Sequence, residues 1–321
     1  MRGGAVKKEV AMRRLPTGER MRIIKHRYMP TGLGEDDVSC LPRACVVTGI
    51  HGDELEGQFA IYELARRIRE TPQHLAGVID IYPAVNPLGI GAIERGIPQF
   101  DLDMDRIFPG DRNSSPFEAL AAELVKDVRG AQVAFDLHAS NIYLRELPQV
   151  RINDSQASQR LLSLARLANM DYLWVHANNA VAKGTFAHTM NDAGVPTLVI
   201  EAGVGMRITQ EVGEQIAVGM LSVLASVGVW TGSVPIVRIP QESTDGEMAS
   251  IRAEVAGMFV SCVPFGKRVR DGQAIGRILD CGAGQVVQEL HSPVDGLLFT
   301  MREYPMVYPG NLIARVLGGK R

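Results

Sequence analysis

Cysteine is scarce in this chain. There are four in 321 residues, Cys40, Cys45, Cys262 and Cys281, and no two form a Cys-x-x-Cys pair. That excludes a disulfide-built scaffold and leads us to expect a reducing, cytoplasmic setting. A charge bias is missing too: 34 Lys and Arg stand against 36 Asp and Glu, for a formal charge of −2. Binding to nucleic acid or to an anionic membrane therefore has no electrostatic basis. Met1 to Arg22 contains no apolar stretch of signal-peptide type, so no targeting segment is expected. Long hydrophobic runs are also lacking. The uncharged segment Gln215–Val237 is broken by Ser222, Ser226, Gly228, Thr231, Gly232, Ser233 and Pro235, which argues against a membrane span. Val212, Ile216, Met220, Val223, Leu224 and Val227 instead recur at helical spacing, predicting a buried helix that runs into a strand. No solenoid-type repeat is present. What remains is 46% hydrophobic and 22% charged, the composition of a globular protein.

From about Leu41 to Val229 short β-branched runs alternate with longer helical ones, the pattern of an α/β domain. Strands are predicted at Ala44–Gly49, Gly77–Tyr82, Val133–Leu137, Tyr172–Val175 and Thr197–Ile200. Each is nearly continuously apolar, as strands covered on both faces are. Helices are predicted at Leu55–Glu70, Pro116–Val128, Ser155–Asn169 and Thr209–Val227, the second opened by a capping box of Ser115 and Glu118 with Pro116 between. After Trp230, Gly and Pro recur at short intervals. The runs between them (Ala274–Leu279, Gln285–Leu290, Gly296–Met301, Leu312–Leu317) predict a small all-β domain, barrel or sandwich. The expected division is a 1–40 extension packing on the core, a 41–230 catalytic domain and a 231–321 β domain.

The segment Gly49-Ile50-His51-Gly52-Asp53-Glu54 follows a strand and opens a helix. A His and a Glu three apart at such a turn can aim at one ion beyond the strand end, and zinc accepts both imidazole nitrogen and carboxylate oxygen. Two further strands deliver chemistry at their carboxyl ends: His138 closes Val133–Leu137, and Glu201 closes Thr197–Ile200. In open α/β sheets that edge is where ligands bind. Two His and one Glu would hold a zinc, and a further Glu would activate water. Asp136 and Asp53 are candidates to orient a ligand His.

These residues resemble the aspartoacylase/succinylglutamate desuccinylase family, related to zinc carboxypeptidases. The match runs in order through Gly49-Ile50-His51-Gly52-Asp53-Glu54, Asn86-Pro87-Leu88-Gly89, Asp103-Met104-Asp105-Arg106-Ile107-Phe108-Pro109-Gly110, Asp136-Leu137-His138 and Glu201-Ala202-Gly203. The resemblance implies a mixed twisted sheet flanked by helices, a trailing barrel-like β module, and zinc-dependent hydrolysis of small N-acylated amino acids with one Zn²⁺ per chain. It implies His51, Glu54 and His138 as metal ligands and Glu201 as general base. Arg95 would steady the oxyanion and Arg106 would grip a substrate carboxylate. The family has Asn where this chain has Asp105. An ionised Asp cannot donate to a substrate carboxylate, and two like charges 4 Å apart repel by about 4 kcal/mol at an effective dielectric of 20. Either Asp105 points away and stabilises Arg106, or the site takes substrates with an amine or no α-carboxylate. We expect the second, with acylated diamines as candidates.

A carboxypeptidase acting on short peptides and a non-catalytic binding protein are the competing readings, the latter opposed by an intact His51, Glu54, His138 and Glu201. Other histidines lack partners at ligand spacing. Lys183-Gly184-Thr185 lacks the glycines of a phosphate loop, and Cys281-Gly282-Ala283-Gly284 lacks the lysine of a biotin or lipoate carrier. The β module is expected to shield the site or build a homo-oligomer contact.

Overall fold

A computed structural model describes residues 5–177 and 183–318. Two strands open it, β1 (Val6–Arg14) and β2 (Arg20–Tyr28), followed by β3 (Arg43–Thr48), β4 (Val78–Tyr82), β5 (Val133–His138), β6 (Leu144–Asn153), β7 (Tyr172–His176) and β8 (Thr197–Gly203). The helices are α1 (Glu56–Glu70), α2 (Pro87–Ala92), α3 (Pro116–Val128), α4 (Gln159–Leu167), α5 (Phe186–Asp192) and α6 (Gln210–Ser226). Parallel pairing joins β4, β3, β5 and β8, and β6 runs antiparallel to β8. Every residue of β4 and β5 is buried, because helices cover both faces of the sheet. Ala60, Ile61, Leu64 and Ile68 of α1 join α4 and α6 residues in one core, while Phe117, Leu120 and Leu124 of α3 join Phe186 and Met190 of α5 in another. This is the expected mixed sheet flanked by helices. The expected capping box at Ser115 is present with both of its bonds.

Some elements differ from expectation. Residues of the 1–40 extension do not merely pack on the core; β1 and β2 pair with each other and extend the sheet through β2 and β4. Their alternation is masked by charge, since the inward positions of β2 include Lys25 beside Met21 and Ile23. The helix expected from Ser155 starts only at Gln159. Asn153 accepts from the Ser155 N–H and holds a 3-10 turn at Asp154–Gln156, and Ser158 then caps α4. The uncharged segment beyond Gln215 begins as the second half of α6, but the strand expected to follow is not formed: Gly228 turns the chain at φ +77°, and residues 231–240, with Pro235 and Pro240 lacking an N–H, stay irregular. No helix among the described residues is long and apolar enough to cross a membrane.

The remaining strands are β9 (Gln241–Thr244), β10 (Met248–Arg252), β11 (Gly257–Ser261), β12 (Arg268–Val269), β13 (Ala274–Asp280), β14 (Gln285–His291), β15 (Gly296–Arg302), β16 (Met306–Val307) and β17 (Leu312–Gly318). A four-stranded sheet, β14-β13-β11-β16, packs over a core of Phe259, Ile278, Leu298, Ile313 and Val316 that β15 and β17 share. This C-terminal antiparallel module is not an island. Its strand β15 pairs with β6, so β15, β17 and β10 continue the large sheet, and β9 pairs with β7.

A buried ionic cluster pins β2 to β3 and β4, at the end of β3 away from His51. Asp80, with no exposed surface, accepts from Arg27 at 2.7 Å and lies 3.3 Å from Lys25 and 3.2 Å from Arg43. Burial works against its charge, but the bond from Arg27 and the charges of Lys25 and Arg43 outweigh it and hold the carboxyl below the usual range. Its contribution to stability is therefore present above the unfolded-state value and lost as pH falls through the folded one. Asp80→Asn should destabilise by about 3–5 kcal/mol, the effect of stranding buried cations. The check is a lower denaturation midpoint at neutral pH, a difference that shrinks in acid.

Candidate active site

The turn after β3 depends on glycine. Gly49 has φ +67°, and a Cβ on Gly52 would lie 2.0 Å from the backbone of Gly89. This close approach, with Gly52 N–H donating to the Arg95 carbonyl at 3.2 Å, locks the turn against the loop that carries Arg95. His51 and Glu54 are thereby aimed across the end of β5, where His138 projects.

His51, Glu54 and His138 are all buried, and one ligand atom from each lies within 4.8 Å of the others. His51 Nδ1 is 2.8 Å from Glu54 Oε1, and His138 Nδ1 is 3.0 Å from Glu54 Oε2 and 3.1 Å from His51 Nδ1. Each outer nitrogen meets a carboxylate at 3.0 Å: His51 Nε2 meets Asp103 and His138 Nε2 meets Asp136. A proton on each Nε2 leaves both Nδ1 lone pairs facing the same point, an arrangement that a cation between them relieves. Two imidazole nitrogens and a carboxylate are a donor set suited to zinc. Of the two carboxylates expected to orient a ligand His, Asp136 stands in the right place, 3.0 Å from His138 Nε2. Asp53 meets neither ring, and Asp103 takes the place proposed for it. Asp103 lies in the matched motif, in an alternating Asp101, Asp103, Asp105 run that hinted at an inward-facing acid.

The charges are strongly coupled. Burial disfavours a charged His51, but Glu54 and Asp103 overcome it and raise the ring to about 9; Asp136 and Glu54 likewise lift His138 well above its ordinary value. Glu54, against its burial, is held far below the carboxylate range by the two rings.

Glu201 is paired with His138 in the β5–β8 register, so both stand at the same sheet end. Burial pushes its carboxyl up to about 7, with Glu54 and Glu146 adding to the shift and Arg151 opposing it. Arg151 Nη1 donates to Glu201 Oε1 at 3.0 Å. Arg95 donates to Glu54 Oε1 at 2.8 Å and stands 3.5 Å from Asp103. Arg106 is partly exposed, and Asp105 beside it is buried: its Oδ1 accepts from the Phe186 N–H at 2.9 Å, and its Oδ2 is 3.5 Å from Arg106. In that geometry Asp105 stands beside Arg106 and also borders the cavity. Burial and the nearby Asp136 push Asp105 up to about 6.

These groups border two cavities. One, of about 310 Å³, is lined by His51, His138, Arg106 and Asp105 and reaches Asn153 and Leu161; the other, of about 300 Å³, is lined by Glu54, Ser140, Asn141 and Glu146. Arg95, Arg151 and Glu201 border both. The structure thus brings all seven residues singled out from sequence to one place. Sequence reasoning missed Arg151 and Glu146, which lie on β6, a strand whose Arg, Glu and Pro residues hid it.

An α/β sheet that gathers His, Glu and His at one edge defines a class of folds with a candidate metal centre, and comparison with known proteins narrows it. Residues 40–227 match the succinylglutamate desuccinylase/aspartoacylase catalytic domain, and the chain belongs to this family. It is 28% identical over 280 residues to the N-alpha-acetyl-L-2,4-diaminobutyric acid deacetylase of Halomonas elongata, covering 85% of this chain and 81% of that protein. A crystal structure of succinylglutamate desuccinylase/aspartoacylase from Rhodobacter sphaeroides superposes with a TM-score of 0.80 at 24% identity, over 98% of this chain and 96% of that one. The product-bound ectoine utilization protein EutE (DoeB) from Ruegeria pomeroyi gives 0.81 at 21% identity, over 99% and 97%. Both share the fold along essentially the whole chain.

Proposed function

We propose that the protein is a zinc-dependent deacylase that hydrolyses the amide of a small N-acyl amino acid, with residues 41–230 carrying the chemistry. The observation that carries this reading is the three-ligand cluster of His51, Glu54 and His138 beside Glu201, where the two cavities meet the same residues. Zinc, when bound, makes water acidic and polarises a carbonyl. Glu201 takes the proton of the attacking water as its oxygen bonds to the amide carbon, and returns that proton to nitrogen as the C–N bond breaks. A carboxylic acid and an amine leave. Arg95, already against Glu54, donates to the developing oxyanion, a contribution of about 2.7–4 kcal/mol for a well-placed donor. Asp103 and Asp136 hold the two imidazoles in the tautomer that directs Nδ1 inward.

Arg106 and Asp105 stand side by side at one cavity wall, a cation and an acid that suit a substrate end carrying both a carboxylate and an amine. The relative that acts on an acetylated diamino acid supports N-acetyl diamino acids as first candidates. The test is a screen of acetyl-, succinyl- and formyl-amino acids and acetylated diamines against dipeptides, using zinc-loaded protein. Turnover of dipeptides alone would favour a carboxypeptidase, and turnover of nothing would favour a binding protein. Asp105→Asn should then lower kcat/KM for an N-acetyl diamino acid relative to an N-acetyl amino acid without a second amine by about tenfold, roughly one charge-assisted hydrogen bond. An unchanged ratio would mean that Asp105 serves Phe186 and Arg106 only.

A further inference from the structure

The bond between Arg151 and Glu201 is the inner end of a longer chain of contacts. Arg151 Nη2 also donates to Glu146 at 2.5 Å. Glu146, almost fully buried, in turn accepts from Arg315 of β17 at 3.0 Å and from the Thr300 hydroxyl of β15 at 3.2 Å, both on its Oε1. The indole of Trp174 backs the two guanidinium groups, which lie 5.2 Å and 5.7 Å from its ring centre. Backbone register builds this alignment. Glu146 pairs with Gly203 and Gln149 with Glu201, so three steps on β6 match two on β8. The extra residue, at Leu147-Pro148, reverses the alternation of β6 and puts Glu146 and Arg151 on the face that carries Glu201. A second irregularity, between Leu298 and Thr300 on β15, adjusts that strand where it meets Glu146.

We infer that the C-terminal β module is part of the catalytic apparatus: Arg315 and Thr300 clamp Glu146, Glu146 aims Arg151, and Arg151 holds the Glu201 carboxylate in the orientation that proton transfer requires. The inference rests on the reading of Glu201 as the base. Arg151 engages only Oε1 of Glu201, and Oε2 has no hydrogen-bond partner among the described residues. The planar guanidinium fork holds two carboxylates at a fixed separation and angle, which the single, freely rotating ammonium of a lysine does not fix. Arg151 and Arg315 are positioning residues. A misplacement of 1 Å at a reacting group is enough to cost about 10²-fold in rate.

The experiment uses the full-length, zinc-loaded enzyme and the best substrate from the screen. The variants are Arg151→Lys, Arg151→Met, Arg315→Lys and Arg315→Met, alone and combined with Glu201→Gln. Arg151→Met and Arg151→Lys should lower kcat by about 10–100-fold and Arg315→Met by about 3–10-fold, with KM and zinc content held within about 3-fold. Arg315→Lys, which keeps one cation on Glu146, should recover most of the Arg315→Met loss. In the Glu201→Gln background the Arg151 and Arg315 changes should cost no more than about 2-fold further, because residues acting through one group are not additive. Full kcat in the Arg151 variants, a loss carried by KM or zinc content, or full additivity with Glu201→Gln would each overturn the chain. Wild-type turnover in Glu201→Gln alone would instead overturn the base assignment beneath it. If a methionine variant fails to fold, the lysine variants still decide, since they keep the charge and lose only the fork.

Discussion

His51→Ala or His138→Ala is expected to strip zinc and turnover together. Each substitution removes one of three ligand atoms clustered within 4.8 Å, and the two that remain no longer enclose an ion. The effect should be graded outward. Asp103→Asn and Asp136→Asn leave all three ligands in place but remove the negative charge that meets each Nε2 at 3.0 Å, so metal affinity should fall by about 10–100-fold while saturating zinc restores activity. Metal content after dialysis, measured beside kcat at low and high zinc, reads both effects. Stoichiometric zinc retained by His51→Ala and by His138→Ala would sink the assignment.

Glu201→Gln should behave in the opposite way, keeping zinc and losing turnover by about 10²–10⁴-fold. A glutamine fills the same space and still accepts from Arg151 through its carbonyl oxygen, yet it cannot take a proton. Near-wild-type kcat would make another group the base. The wild-type pH profile carries the same information. Without metal, burial and the neighbouring Glu54 and Glu146 push this carboxyl to about 7, and a bound cation draws it lower. The base must be ionised, so kcat/KM should fall as pH drops through a limb at or below 7 and lose that limb in the glutamine variant.

Much of this site was legible because its parts sit where sequence is least ambiguous. Buried parallel strands read as unbroken apolar runs, and a His or Glu at the end of such a run is conspicuous; His138 and Glu201 stood out for that reason. The turn at Gly49–Glu54 announced itself through glycines that a close backbone approach requires. Asp53 was a wrong guess because adjacency along the chain is a poor guide to contact; Asp103, 52 residues beyond His51, reaches the ring instead. Strands β2 and β6 escaped because their inward positions carry Lys25, Glu146 and Arg151, and β1 because it is charged and largely uncovered. A buried charge satisfied by a distant partner looks, in sequence, like a solvated one. The orientation of Asp105 was equally hidden, since it depends on the backbone of Phe186, 81 residues away.

Strand β6 has a consequence for how the chain protects itself. Leu144, Arg145 and Glu146 would form a bare sheet edge were they not paired with Arg302, Met301 and Thr300, and Tyr172 would lose the cover of Phe299 and Leu317. An open strand edge beside an uncovered aromatic surface invites pairing with a neighbouring molecule. During synthesis β6 emerges with this edge unguarded, and β15, its guard, follows about 150 residues later. Solubility of the nascent chain is thus tied to completion of the C-terminal strands, and damage there would surface first as aggregation.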